Sequence, residues 1–119
     1  MIDRTIWQRW MSLGENNSTE LLLQLIELYL DSSLKSIHDI QEALNIKYAK
    51  GLSFHAHALK SSSASLGATL VSEMCLKIEK DAREEKLSEI PALLQQLLIE
   101  HKSVEAELRQ EVLNLKNAG

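Results

Sequence analysis

Two histidines separated by one residue open the stretch HAHALKSSSASLGA, residues 55–68. An imidazole can carry a proton, bind a metal or act as a nucleophile, so the surroundings of His55 and His57 must decide among these. Spacing argues against a metal. Helical ligand pairs stand three or four residues apart, and di-metal bundles use Glu-x-x-His pairs. The chain contains no Glu-x-x-His and no His-Glu-x-x-His; His38/Glu42 and His101/Glu105 have the four-residue spacing, as charged helices often do by chance. A serine hydrolase would want a Gly-x-Ser-x-Gly turn and an ATP site a glycine-rich loop. Neither motif is present. The expectation is therefore no metal, no cofactor and no autonomous ATP chemistry.

Helices must position whatever these residues do. Glycine (four), proline (one) and aromatic residues (4%) are scarce in the 119 residues, and leucine, alanine, lysine and glutamate abound. That balance favours helix over sheet. Amphipathic runs are expected over about residues 3–12 (Ile6, Trp7, Trp10), 18–30 (Leu21, Leu22, Leu25, Ile26, Tyr29) and 33–45 (Leu34, Ile37, Gln41, Leu44). Three more follow over about 47–66 (Tyr48, Leu52, Ala56, Leu59, Ser63, Leu66), 68–85 (Val71, Met74, Cys75, Ile78, Ala82) and 88–115 (Ile90, Leu93, Leu94, Leu97, Val104, Leu108). Asp31, Ser32 and Ser33 are read as a break between the second and third runs. Asn17 with Glu20 reads as a capping box, Gly67 as a left-handed helix end, Ser88 as a cap, and Pro91 as a first-turn residue. The expected fold is all-α: an antiparallel four-helix bundle with a short N-terminal capping helix and an additional helix, one domain over residues 1–119.

Composition narrows the setting. A net charge of −4 gives no basic surface for nucleic acid. No apolar run reaches the roughly 18 residues of a membrane span, and the charged start MIDRTIWQRW lacks a signal-peptide core. A single cysteine, Cys75, fits packing in a reduced compartment. A cytoplasmic monomer is expected.

At about 100° per residue, His55 falls at the edge of the fourth run's apolar face, about 55° from its centre. His57 falls about 145° away, pointing outward, and residues two apart do not share a helix face. His57 is flanked by Ser53, Phe54, Lys60, Ser61 and Ala64. The small residues leave its ring clear for another protein to close over, and Lys60 places a cation beside any anion carried there. Phe54, aromatic and far from the apolar stripe, is the candidate docking residue. Ser53, Ser61 and Ala64 complete the binding surface. His101 reads as a core histidine and His38 as flank or surface.

The pattern H-A-L-K-S-S-S-A-S-L-G-A (57–68) resembles the signature of histidine-containing phosphotransfer (HPt) domains of multistep phosphorelays, His-x-Leu-Lys-Gly-Ser-Ser, three residues, then Gly-Ala. His57, Leu59, Lys60, Ser62, Ser63, Gly67 and Ala68 match, and C-L-K-I-E (75–79) resembles the family's Cys-x-x-Leu-Glu segment. The resemblance implies that His57 is the phosphoacceptor and Lys60 stabilises phosphoryl charge. It also implies that Glu79 accepts a hydrogen bond from Nδ1 and orients the ring; an ion pair with Lys80 or Arg83 is the alternative for Glu79. Ser61 stands where the family usually has glycine, narrowing the approach slightly. The implied partners are receiver domains of response regulators and of a hybrid histidine kinase. These would supply the aspartate and Mg²⁺, so the chain would be a phosphocarrier and not an autonomous enzyme. A bundle adaptor that binds response regulators without carrying phosphate is the alternative, and the pairing of His57 with Lys60 argues against it.

Overall fold

The computed structural model describes residues 2–13 and 18–118, which form helices α1 (Thr5–Leu13), α2 (Ser18–Asn45), α3 (Ala49–Ser65), α4 (Thr69–Arg83) and α5 (Ile90–Ala118). α2 packs on α3, α3 on α4, α4 on α5 and α5 back on α2, closing a four-helix bundle, and α1 leans on α2. The core threads through all five helices, from Trp7 and Ile26 to Leu59, Ile78 and Leu97. The expected all-α four-helix bundle with an N-terminal capping helix is present; the additional helix expected beside them is not found among the described residues.

Two expected runs, 18–30 and 33–45, are one helix. Asp, Ser and Ser at 31–33 cost only about 0.5 kcal/mol each in helix propensity. Burial of Ile26, Leu30, Ile37 and Ile40 along the same stripe is worth about 1.5–3 kcal/mol per side chain, and packing prevails. Ser33 itself is buried, its hydroxyl 2.8 Å from His101 Nε2 on α5. A continuous helix also keeps one phase. Ser33, Ile37, Ile40 and Ala43 therefore face inward, while Leu34 and Gln41, expected on the apolar face, are exposed.

Helix ends set the lengths. After α3, the Gly67 N–H donates to the Ala64 carbonyl and the Ala68 N–H to the Ser63 carbonyl, the paired bonds of a Schellman ending. Gly67 has φ 82°, and a Cβ there would collide with the Asp3 carbonyl. Lys47 and Glu85, both at φ 55°, end α2 and α4 in the same way without glycine. Pro91 lies in the first turn of α5 as expected, but Ser88 stands two residues before the helix and does not occupy the cap position. The expected cap at Asn17 lies outside the described residues. Tyr48, placed on the apolar face from sequence, precedes α3 and is 53% exposed, lying against Gly51.

α3 (17 residues) and α4 (15) are much shorter than α2 (28) and α5 (29), so the α3–α4 turn ends below the top of the bundle. α1 covers it. The Asp3 N–H donates to the Gly67 carbonyl at 2.8 Å, Trp7 Nε1 to the Leu66 carbonyl at 2.8 Å, and Trp10 Nε1 to the Ser65 carbonyl at 2.7 Å. These carbonyls have no partner within their own helix. Both tryptophans thus cap the bundle end. Arg4 stacks on Trp7 and reaches Glu111 of α5 at 2.9 Å.

Candidate functional site

The inward stripe of α3 is Leu52, Ala56, Leu59 and Ser63, all fully buried, with Ser63 bonded to the Tyr29 hydroxyl at 2.7 Å. This stripe fixes the rotation of the helix and therefore the positions of both histidines. His55 lies at the boundary, half-buried, with Nδ1 3.8 Å from Asp39 Oδ2. The His57 side chain is 57% exposed.

Across from His57, α4 is rotated by Val71, Cys75, Ile78 and Ala82 so that Glu79 sits at the α3–α4 seam. Glu79 is 1% exposed, and three donors converge on its carboxylate. Lys60 Nζ donates to Oε1 at 2.7 Å. His57 Nδ1 and Arg83 donate to Oε2, each at 2.8 Å. Burial would raise the carboxyl pKa. The hydrogen bonds from Lys60 and His57 and the charges of Lys60 and Arg83 outweigh it and hold the group below its ordinary value. Glu79 is therefore an ionised acceptor. A carboxylate has no proton to give, so Nδ1 of His57 must carry one. In the neutral imidazole Nε2 then keeps its lone pair.

Ser53, Phe54, Ala58 and Arg83 surround His57 and Glu79 in a shallow surface depression. Phe54 is 70% exposed there. Ser61 and Ala64 are exposed one and two turns beyond His57 and do not line the depression. Lys60 is bound to Glu79 and only 25% of its side chain is exposed. Arg83, weighed from sequence only as a rival partner for Glu79, instead shares that carboxylate with His57. The four-residue spacing of Glu79 and Arg83 on one helix was the available signal.

Cys75 and His101 are held in the core. Burial, then the Glu79 charge, pushes the Cys75 thiol up to about 12, so no thiolate nucleophile is present near neutral pH. His101 is 3% exposed, bonded to Ser33, and its pKa is lowered by burial. It is the core histidine that its position on α5 implied. No cluster of three or more His, Cys, Asp and Glu side chains able to hold a metal occurs among the described residues. No helix there is long and apolar enough to cross a membrane.

Residues 24–118 match the family model of the Hpt domain. This chain belongs to the Hpt domain family. The chain is 30% identical over 79 residues to Multistep phosphorelay regulator 1 of Schizosaccharomyces pombe, an alignment covering 66% of this Hpt chain and 27% of that protein. It is 34% identical over 77 residues to Phosphorelay protein LuxU of Vibrio harveyi, covering 65% of this chain and 64% of that one. The chain thus spans about a quarter of the fission-yeast relative and a little under two thirds of LuxU. Its fold superposes on histidine-containing phosphotransfer protein B of Pseudomonas aeruginosa PAO1 with a TM-score of 0.87, at 25% identity and over 95% of each chain.

Proposed function

We propose that this Hpt domain is a phosphorelay intermediate: His57 accepts a phosphoryl group from a receiver-domain aspartate and passes it to the aspartate of another receiver. The observation that carries the reading is the Nδ1–Glu79 bond on an exposed ring, which leaves Nε2 free to attack. In the forward step the Nε2 lone pair forms a bond to phosphorus and the acyl P–O bond breaks. The aspartate carboxylate leaves with the electron pair, and Nδ1 keeps its proton. The ring then carries positive charge, which the Glu79 carboxylate is placed to stabilise. Lys60 and Arg83 add positive potential around a group that carries up to two negative charges.

The chain supplies the nucleophile and its orientation, while the receiver supplies the aspartyl phosphate and its own metal ion. It is accordingly a phosphocarrier acting as a monomer with receivers of response regulators and of a hybrid kinase, in the cytoplasm where those domains work. Phe54, Ser53, Ser61 and Ala64 form the face over which a receiver closes.

The test is incubation with a radiolabelled phospho-receiver and Mg²⁺, comparing wild type, His57→Gln and His55→Gln. Acid-labile, base-stable label is expected on wild type and His55→Gln and not on His57→Gln. Label that survives His57→Gln would overturn the assignment. No label on any variant across a panel of receivers would favour an adaptor that carries no phosphate.

A further inference from the structure

The proposed function uses His57 and leaves His55 without a task, yet the His55 ring packs against Phe54 and lies near Asp39. Its ring meets the Phe54 ring edge-on, with centroids 5.2 Å apart and planes at 88°. Its Nδ1 lies 3.8 Å from Asp39 Oδ2 on α2. Consecutive helix side chains diverge by about 100°. The imidazole must therefore turn toward Phe54 to make this contact, while its other side stays directed at α2. Phe54 is 70% exposed and, among the described residues, is the one aromatic besides His57 lining the depression.

We infer that His55 is a positioning residue for receiver docking: half-buried at the edge of α3, it braces the exposed Phe54 ring in the rotamer that a receiver meets. This rests on the phosphocarrier reading above. An unsupported surface aromatic samples more than one χ1 well and must be ordered when a partner docks. A T-shaped contact within the favourable 4.5–7 Å range prepays that ordering. The effect belongs to encounter and not to bond-making, because His55 makes no hydrogen bond to His57, Lys60 or Glu79. The half-buried His55 and the exposed Phe54 thereby connect the bundle frame to the docking face alongside the phosphoacceptor.

The experiment measures transfer from a receiver phosphorylated with acetyl phosphate, chosen because it labels the wild type, as a function of receiver concentration. His55→Ala is expected to raise the half-saturating concentration about threefold to tenfold with the maximal rate within twofold of wild type. His55→Phe, which retains an aromatic edge, should restore most of the affinity. In a Phe54→Ala background, His55→Ala should have no further effect, because the ring it braces is gone. Additive losses in the double variant would overturn the inference, as would a His55→Phe loss equal to that of His55→Ala. So would a fall in maximal rate without a change in half-saturation. Failure of every receiver to label the wild type would instead overturn the phosphocarrier reading, and this inference with it.

Discussion

Glu79→Ala is the perturbation with the most to lose, because one buried carboxylate serves three donors. Its removal strands them unequally. The His57 and Arg83 side chains are 57% and 66% exposed and can turn to water, whereas Lys60 is 25% exposed and must leave a partly dry position. Losing a charge-assisted bond costs about 1.5–3 kcal/mol, and breaking a buried pair about 3–5 kcal/mol. With two of the three donors able to resolvate, a destabilisation of about 2–3 kcal/mol is expected. The kinetic effect is separate. Without the carboxylate, the proton on Nδ1 is no longer fixed and the charge on the phosphorylated ring loses its counter-ion. A loss of about 1.5–3 kcal/mol in the transition state corresponds to about a tenfold to hundredfold slower transfer. Glu79→Gln keeps one acceptor oxygen and should lie between the two. Rapid-quench transfer from a phospho-receiver, with a urea melt of each variant, measures both effects. The pH dependence has a definite sign. The Glu79 pKa is depressed on folding, so the unfolded chain takes up the proton first. Its stabilising contribution is full above the ordinary carboxyl value and is lost as pH falls through the folded one. Glu79→Gln should remove that part of the acid limb. A folded Glu79→Ala protein that transfers within twofold of wild type would refute the orientation argument.

Three further outcomes follow from the fold. Gly67→Ala should cost about 2 kcal/mol or more, since φ 82° alone costs roughly 1–2 kcal/mol for an L-residue and the added methyl meets the Asp3 carbonyl; a urea-melt loss under about 0.5 kcal/mol contradicts this. Glu85→Gly should stabilise by about 0.5 kcal/mol, because relief of left-handed strain at φ 55° exceeds the added chain entropy; a lower melting temperature would count against the strain. His101 has its pKa lowered by burial, so the unfolded chain binds its proton more readily, and stability should decline as pH falls below about 6.5. His101→Gln should flatten the melting temperature between pH 7 and pH 5.5, and an unchanged slope would place the titration elsewhere.

The sequence made local phase legible and tertiary compensation much less so. The outward placement of His57 and the edge placement of His55 followed from Leu52, Ala56, Leu59 and Ser63, because a helical stripe fixes every other residue on the helix. Glu79 could be placed at a boundary from α4 alone, though not the convergence of three donors on it, which requires the packing of α3. The break assigned to Asp31–Ser33 failed because Ser33 has a buried partner, His101, 68 positions away in the chain. Leu34 and Gln41 were placed inward for the same reason, since a helix assumed to restart may reset its phase. Tyr48 looked like the first member of the α3 stripe, yet it precedes the helix and packs beside Gly51. The indole bonds from α1 to the end of α3 carry no local signature, because orphan carbonyls accept a donor from any direction.

The central claim is that the phosphoryl group rests on Nε2 of His57 while Nδ1 keeps its proton for Glu79. Long-range ¹H–¹⁵N correlation of the phosphorylated, ¹⁵N-labelled protein, with ³¹P coupling, reads both ring nitrogens directly. The account predicts one phosphorylated imidazole, coupled to phosphorus at Nε2, absent in His57→Gln, with a protonated Nδ1. Phosphorus coupled to Nδ1, or to any other histidine, would contradict it.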